Sequence, residues 1–189
     1  MMKKTCGFWG LAVLFCSSLA LAQAAKPAEA TTVGEAVDHY LRNVEHEFVT
    51  TAEAMPEEKF SFAPTDGDFK GVRTFGQQVR HVGAVNYLIA ATILQEKPPV
   101  ELGDENGPES LKTKAEIISF LKGSFAYAHK AVLSLNEKNA LQPMKNPFGT
   151  SMVTPLELAT WIPGHCFDHY GQMVEYLRMN GIIPPASRK

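Results

Sequence analysis

Two histidines near the C-terminus, His165 and His169, stand four residues apart in the run His165-Cys166-Phe167-Asp168-His169-Tyr170-Gly171-Gln172. On a helix this spacing is about 400° of rotation, so the rings lie about 40° apart on one face. Two imidazoles placed in this way can reach one metal ion. A third histidine, His81, lies 84 residues earlier on another predicted helix. Three neutral imidazoles on facing helices would leave a coordination position open, and an open position is where chemistry happens.

The phase of the pair gives it weight. His165 and His169 fall on the interior stripe Leu158, Ile162, His165, His169, Met173 and Tyr176. Burying two imidazoles side by side is costly unless something satisfies their nitrogens. A metal does so directly; a hydrogen-bonded structural pair is the alternative. From spacing alone His81 has a competitor, His46, which lies beside Glu47 on the first predicted helix and could serve as a ligand or a pocket residue. His39 is two helical turns before His46 and shares its face. His129 falls off the apolar stripe of its helix and is expected at the surface. Gln172 is close to the ligand face, and Gln77 and Gln78 lie one turn before His81, where an amide can fix an imidazole tautomer. Cys166 is about 100° around the helix from its neighbour His165, so it is expected to pack against another helix rather than join the site.

These residues need four helices to position them. The first spans about 33–55, with Val37, Tyr40, Val44, Phe48 and Ala52 recurring at three and four. Pro56-Glu57-Glu58 ends it or starts a short turn, and 59–73 reads as an ordered loop. The second begins after Thr74, an N-cap with Gln77 as its capping-box partner, and runs to about Glu96, where Pro98 and Pro99 stop it. The third starts near Ser110 or Thr113 and ends near Asn136, with the stripe Ile118, Leu121, Phe125, Ala128, Val132 and Leu135. The segment 137–153 reads as a loop. The fourth opens at Thr154 with Pro155 in its first position and closes at Asn180-Gly181. Pro163 sits inside it and is expected to kink it just before the first proposed ligand. No segment shows sustained period-two alternation. The fold class is all-α, a four-helix bundle whose long connections argue against simple up-and-down order.

The N-terminus reads as an export signal. Lys3 and Lys4 precede an apolar run from Cys6 to Leu21, and Ala22-Gln23-Ala24 offers a cleavage site after Ala24. Residues 25–32 are a flexible lead-in, and 33–189 form one domain. The expected location is periplasmic or secreted, with no stable membrane span after cleavage. Removing Lys3 and Lys4 moves the formal charge from −2 to −4, and no basic patch is visible, which argues against nucleic acid as a partner. Cys6 and Cys16 leave with the signal, so Cys166 has no internal disulfide partner.

The chain resembles the DinB/YfiT-like metalloenzymes, a family that includes thiol-dependent transferases and isomerases. Three stretches carry the resemblance: Met55-Pro56-Glu57-Glu58-Lys59-Phe60 after helix one, Thr74 to Val82 with its Arg80-His81, and His165-x3-His169-x-Gly171-Gln172 followed by Tyr176-Leu177-Arg178 and the run Gly181 to Pro185. It covers essentially the whole mature chain. The resemblance implies that His81, His165 and His169 are the metal triad, which leaves His46, Gln77 and Gln172 as pocket or ligand-supporting residues. Zn²⁺ suits such a set best, with Ni²⁺, Co²⁺ or Mn²⁺ behind it. The resemblance also implies a small-molecule substrate and activation of a low-molecular-weight thiol, that is, a metal-dependent transferase. Metal-hydroxide hydrolysis, which needs no cosubstrate, and a non-catalytic metal- or ligand-binding bundle are the alternatives, and a homodimer is left open.

Overall fold

A computed structural model describes residues 29–65 and 70–189. The proposed signal peptide lies outside these residues. Helix α1 spans Val33–Ala54, α2 Phe75–Leu94, α3 Lys114–Leu133 and α4 Pro155–Met179. Single 3-10 turns cover Glu57–Lys59 and Pro185–Ser187. No described helix is long and apolar enough to cross a membrane.

All four helices start in the same way. Thr32, Thr74, Thr113 and Thr154 each cap the backbone N–H three residues on, and Glu35, Gln77, Glu116 and Glu157 reach back to the cap's own N–H. Each box satisfies two donors that a helix start leaves unpaired. Proline in the first turn of α4 removes a third such donor. The helix then runs unbroken through Pro163, so it does not stop and restart there.

Helix α1 packs on α3 and α4, and α2 packs on the same two, so α1 and α2 are diagonal, as are α3 and α4. The connections that leave α1 and α3 therefore run diagonally, at opposite ends of the bundle. This explains their length and bears out the expectation that simple up-and-down order fails. The α2–α3 pair is the most extensive. Two glycines permit its close approach: a Cβ on Gly83 would lie 2.7 Å from the Phe120 ring, and one on Gly123 would strike the Tyr87 hydroxyl.

The core is continuous. Leu41, Val44, Phe48, Phe75, Ile89, Leu121, Phe125, Ile162, Met173 and Leu177 are essentially inaccessible. Tyr40, expected in the α1 stripe, is instead 51% exposed, and Leu41 takes the interior position. Tyr40 lies on the outer face against Phe167, with ring centroids 6.0 Å apart. The junction after α1 is tied down at both ends. Lys114 Nζ donates to the carbonyls of Glu53 and Met55 at the end of α1. Phe62 and Phe60 carbonyls accept from the first two N–H groups of α2, at 2.8 Å each.

The 137–153 segment is not wholly loop. Met144–Lys145 and Met152–Val153 pair antiparallel as a two-residue hairpin, with Met144 opposite Val153. Strands this short cannot display an alternating pattern. The hairpin delivers the chain into the Thr154 cap and sets Phe148, near its tip, against Trp161 of α4 at 5.0 Å.

Candidate metal centre

The structure brings His81, His165 and His169 together. Their ligand atoms lie within 4.8 Å of one another, the only such group of three among the described residues. Nε2 of His165 is 3.1 Å from Nε2 of His81 and 3.0 Å from Nε2 of His169. Helix α4 supplies two rings from adjacent turns of one face, and α2, packed beside it, supplies the third.

The other nitrogens decide what these contacts are. His81 Nδ1 lies 2.5 Å from the Glu105 carbonyl, which can only accept, so Nδ1 carries the proton and Nε2 presents a lone pair. His169 Nδ1 lies 2.5 Å from Gln78 Oε1. A directional relay fixes that amide: Asp168 accepts from Gln172 Nε2 at 3.2 Å, and Gln172 Oε1 accepts from Gln78 Nε2 at 2.8 Å. The Gln78 carbonyl must then face His169, whose Nδ1 donates and whose Nε2 is also a lone pair. His165 Nδ1 is buried without a partner among the described residues. A neutral His165 could donate from Nε2 to one neighbour only, so at least one of the two short N···N contacts carries no hydrogen bond.

Protonation does not relieve this. Burial first, then the neighbouring histidines, pushes the His165 pKa down to about 3. Burial and His81 hold His169 down to about 4. Burial also lowers His81, partly offset by the Glu105 carbonyl. Three neutral imidazoles around one point are a ligand set that can hold a divalent cation. The two N···N separations are close to the roughly 3.3 Å edge of a tetrahedron with bonds of about 2.0–2.1 Å.

The support for His81 comes from the α2–α3 connection. Arg73 donates to Asn106 Oδ1 at 3.0 Å and pairs with the Glu105 carboxylate at 2.7 Å. Arg80 donates to the Pro108 and Leu111 carbonyls. Gly107, at φ +79°, lets the turn lie directly on α2; a Cβ there would sit 2.6 Å from the Arg80 carbonyl oxygen. Glycine alone adopts this φ at no steric cost.

The other expected residues are placed as follows. Gln172 supports the site through Gln78. Gln77 does not, because its side chain closes the Thr74 capping box at 2.8 Å. His46 is not brought to the triad; it lies exposed in a separate depression with Arg42, Glu45 and Lys122. His129 is not at the surface as expected: it is largely buried between Asp38 and Glu45, at 2.6 and 3.0 Å. Cys166 is fully buried, its thiol facing Asn86 Oδ1, and burial pushes its pKa up to about 12. Sequence reasoning missed Glu105, Arg73 and Gly107. The Asn106-Gly107 pair is a turn signal, but nothing local tells which carbonyl meets His81.

A model of the DinB superfamily matches residues 40–173, a span that includes all three histidines. The chain belongs to the DinB superfamily. A DinB-like protein from Bacillus cereus ATCC 10987 has a similar solved structure, with a TM-score of 0.61 at 16% identity, covering 77% of this chain and 93% of that one. That likeness bears out the DinB-like all-α bundle. No curated protein matches the chain. In this DinB-superfamily chain a cleft of about 710 Å³ adjoins the triad, with His165 in its wall beside Trp161, Gly164, Phe148 and Val153.

Proposed function

We propose that the protein is an exported metalloprotein in which His81, His165 and His169 hold one divalent ion, zinc by preference, and that it acts as a metal-dependent transferase on a small molecule with the help of a low-molecular-weight thiol. The observation that carries this reading is the tautomer control: two of three converging Nε2 atoms are made lone pairs by acceptors on Nδ1. A protein that needed only buried, mutually hydrogen-bonded histidines would alternate donors and acceptors instead. When bound, a divalent ion supplies Lewis acidity, which favours the thiolate form of a thiol or the ionised form of water.

The chain's own groups have narrower tasks. His81 and His169 are oriented by Glu105 and by the Gln78–Gln172–Asp168 relay. His165 joins the ion site to the cleft. Cys166, buried and neutral, cannot act as the nucleophile, so the thiol must come from outside the chain. Export, expected from residues 1–24, limits which thiols are available.

The test is metal content followed by turnover. Purified protein should carry one equivalent of metal, lost in His81→Ala, His165→Ala and His169→Ala. The loaded protein should consume 1-chloro-2,4-dinitrobenzene only when a thiol such as glutathione is added. Hydrolysis of a nitrophenyl ester without thiol would assign hydrolase chemistry instead, and one equivalent of metal with neither activity would assign a binding protein.

A further inference from the structure

The cleft beside the triad has a definite chemical character. Trp161 stacks on the His165 ring at 4.6 Å and 13°, and Phe148 rests on Trp161 at 5.0 Å and 35°. The three rings form a ladder from the hairpin tip to a proposed metal ligand. Trp161 and Phe148 nevertheless remain 44% and 50% exposed. Adjacent large aromatics left half in water mark a surface that binds something. The volume, about 710 Å³, is of the size that encloses most of a small organic molecule.

Charge narrows the occupant. Among the described residues, Glu157 is the only ionisable one lining the cleft apart from His165; no described lysine or arginine does so. The Glu157 carboxylate already accepts from the Thr154 N–H and hydroxyl, at 2.7 and 2.8 Å. Apart from the ion that the triad would hold, an anion entering here would shed water without gaining a cationic partner among the side chains along its aromatic part. Gly164 keeps the space clear. It is exposed on α4, lines the cleft, and a Cβ built on it meets nothing within 4 Å. Glycine in a helix interior costs stability relative to alanine, and packing does not require it here.

We propose that this cleft binds the uncharged, planar aromatic body of the substrate against the exposed parts of Trp161 and Phe148, and that these two side chains with Gly164 set the specificity of the site. The proposal rests on the reading of the triad as a metal centre, since His165 joins the two. It places the reacting group of such a ligand beside His165 and selects against substrates whose aromatic part is anionic.

The test uses zinc-loaded full-length protein and calorimetric titration with 2-naphthol and with 2-naphthalenesulfonate, an anion of the same ring that coordinates metals poorly. The wild type should bind 2-naphthol, and the sulfonate at least about ten-fold more weakly. Gly164→Leu, which places a side chain in the cleft, should weaken 2-naphthol binding by about ten-fold or more while zinc content stays at one equivalent. Phe148→Ala should weaken it by about five-fold. No binding of 2-naphthol to the wild type, equal binding of the two probes, or unchanged binding to Gly164→Leu overturns the proposal. Normal 2-naphthol results in a protein that takes up no zinc would instead overturn the metal reading and leave the cleft assignment standing.

Discussion

Two histidine clusters in this bundle have opposite wiring. Around His129, both ring nitrogens face carboxylates of α1, Asp38 on one side and Glu45 on the other. Asp38, itself almost fully buried, also pairs with Arg42. Both ring nitrogens of His129 and both carboxylate oxygens of Asp38 are used by another part of the chain, and what results is a clamp between α1 and α3. Around His81, His165 and His169, the outer nitrogens of two rings are committed and the inner nitrogens face only each other. The difference teaches that a buried histidine becomes a ligand candidate through the partner on its second nitrogen. Burial and helical phase alone do not distinguish the two.

The largest separation between the clusters should appear on truncation. His165→Ala should lower zinc affinity by at least about 100-fold, measured by competition with a chelator, since one of three protein ligands is lost. His129→Ala should leave zinc stoichiometry unchanged and lower folding stability by about 1–3 kcal/mol, read from urea unfolding. Equal zinc loss in both variants would erase the distinction. One layer further out, Gln78→Leu removes the acceptor for His169 Nδ1 and should weaken zinc by about 10–100-fold with the fold intact.

Acid should separate metal-free from loaded protein. His165 and His169 titrate near 3 and 4 in the fold and near 6.5 when unfolded. Between those values the unfolded chain binds more protons, so stability falls as pH falls from about 6.5 towards 3. A thermal melt of the metal-free protein should therefore drop in midpoint from pH 7 to pH 5, and the His165→Ala variant should drop less. A metal-free midpoint that rises on acidification would contradict the neutral-triad account.

A smaller effect is expected at Gly107. Gly107→Ala strains a positive φ and presses on the Arg80 backbone, at a cost of about 1–3 kcal/mol. It should loosen the Glu105 carbonyl from His81 and weaken zinc by less than Gln78→Leu does. The smallest effect is at Cys166. Its buried thiol should react with a disulfide reagent only after unfolding, and zinc should slow that reaction only as far as it stabilises the fold.

Much of this was legible in the sequence because it is local. The capping box at Thr74, the proline-led start of α4 and the four-residue spacing of His165 and His169 each depend on a single turn of helix. The same Thr-x-x-Glu pattern at Thr32, Thr113 and Thr154 was there to be read as well. The tertiary assignments were less accessible. Tyr40 and Leu41 are adjacent, and either could continue an apolar stripe; the packing of α1 against α3 and α4 decides between them. His129 looks like a surface residue until α1 brings Asp38 beside it. Gln77 and Gln78 are neighbours with one side chain type, yet one caps a helix and the other holds a ligand, because α4 passes over only one of them.

The central claim is that three imidazole nitrogens surround one cation. Zinc-edge X-ray absorption on the loaded full-length protein tests it most directly. The account predicts a first shell at about 2.0–2.1 Å with the multiple-scattering signature of three imidazoles, absent from the His81, His165 and His169 triple alanine variant. A shell of oxygen donors alone, or a spectrum unchanged in that variant, would contradict it.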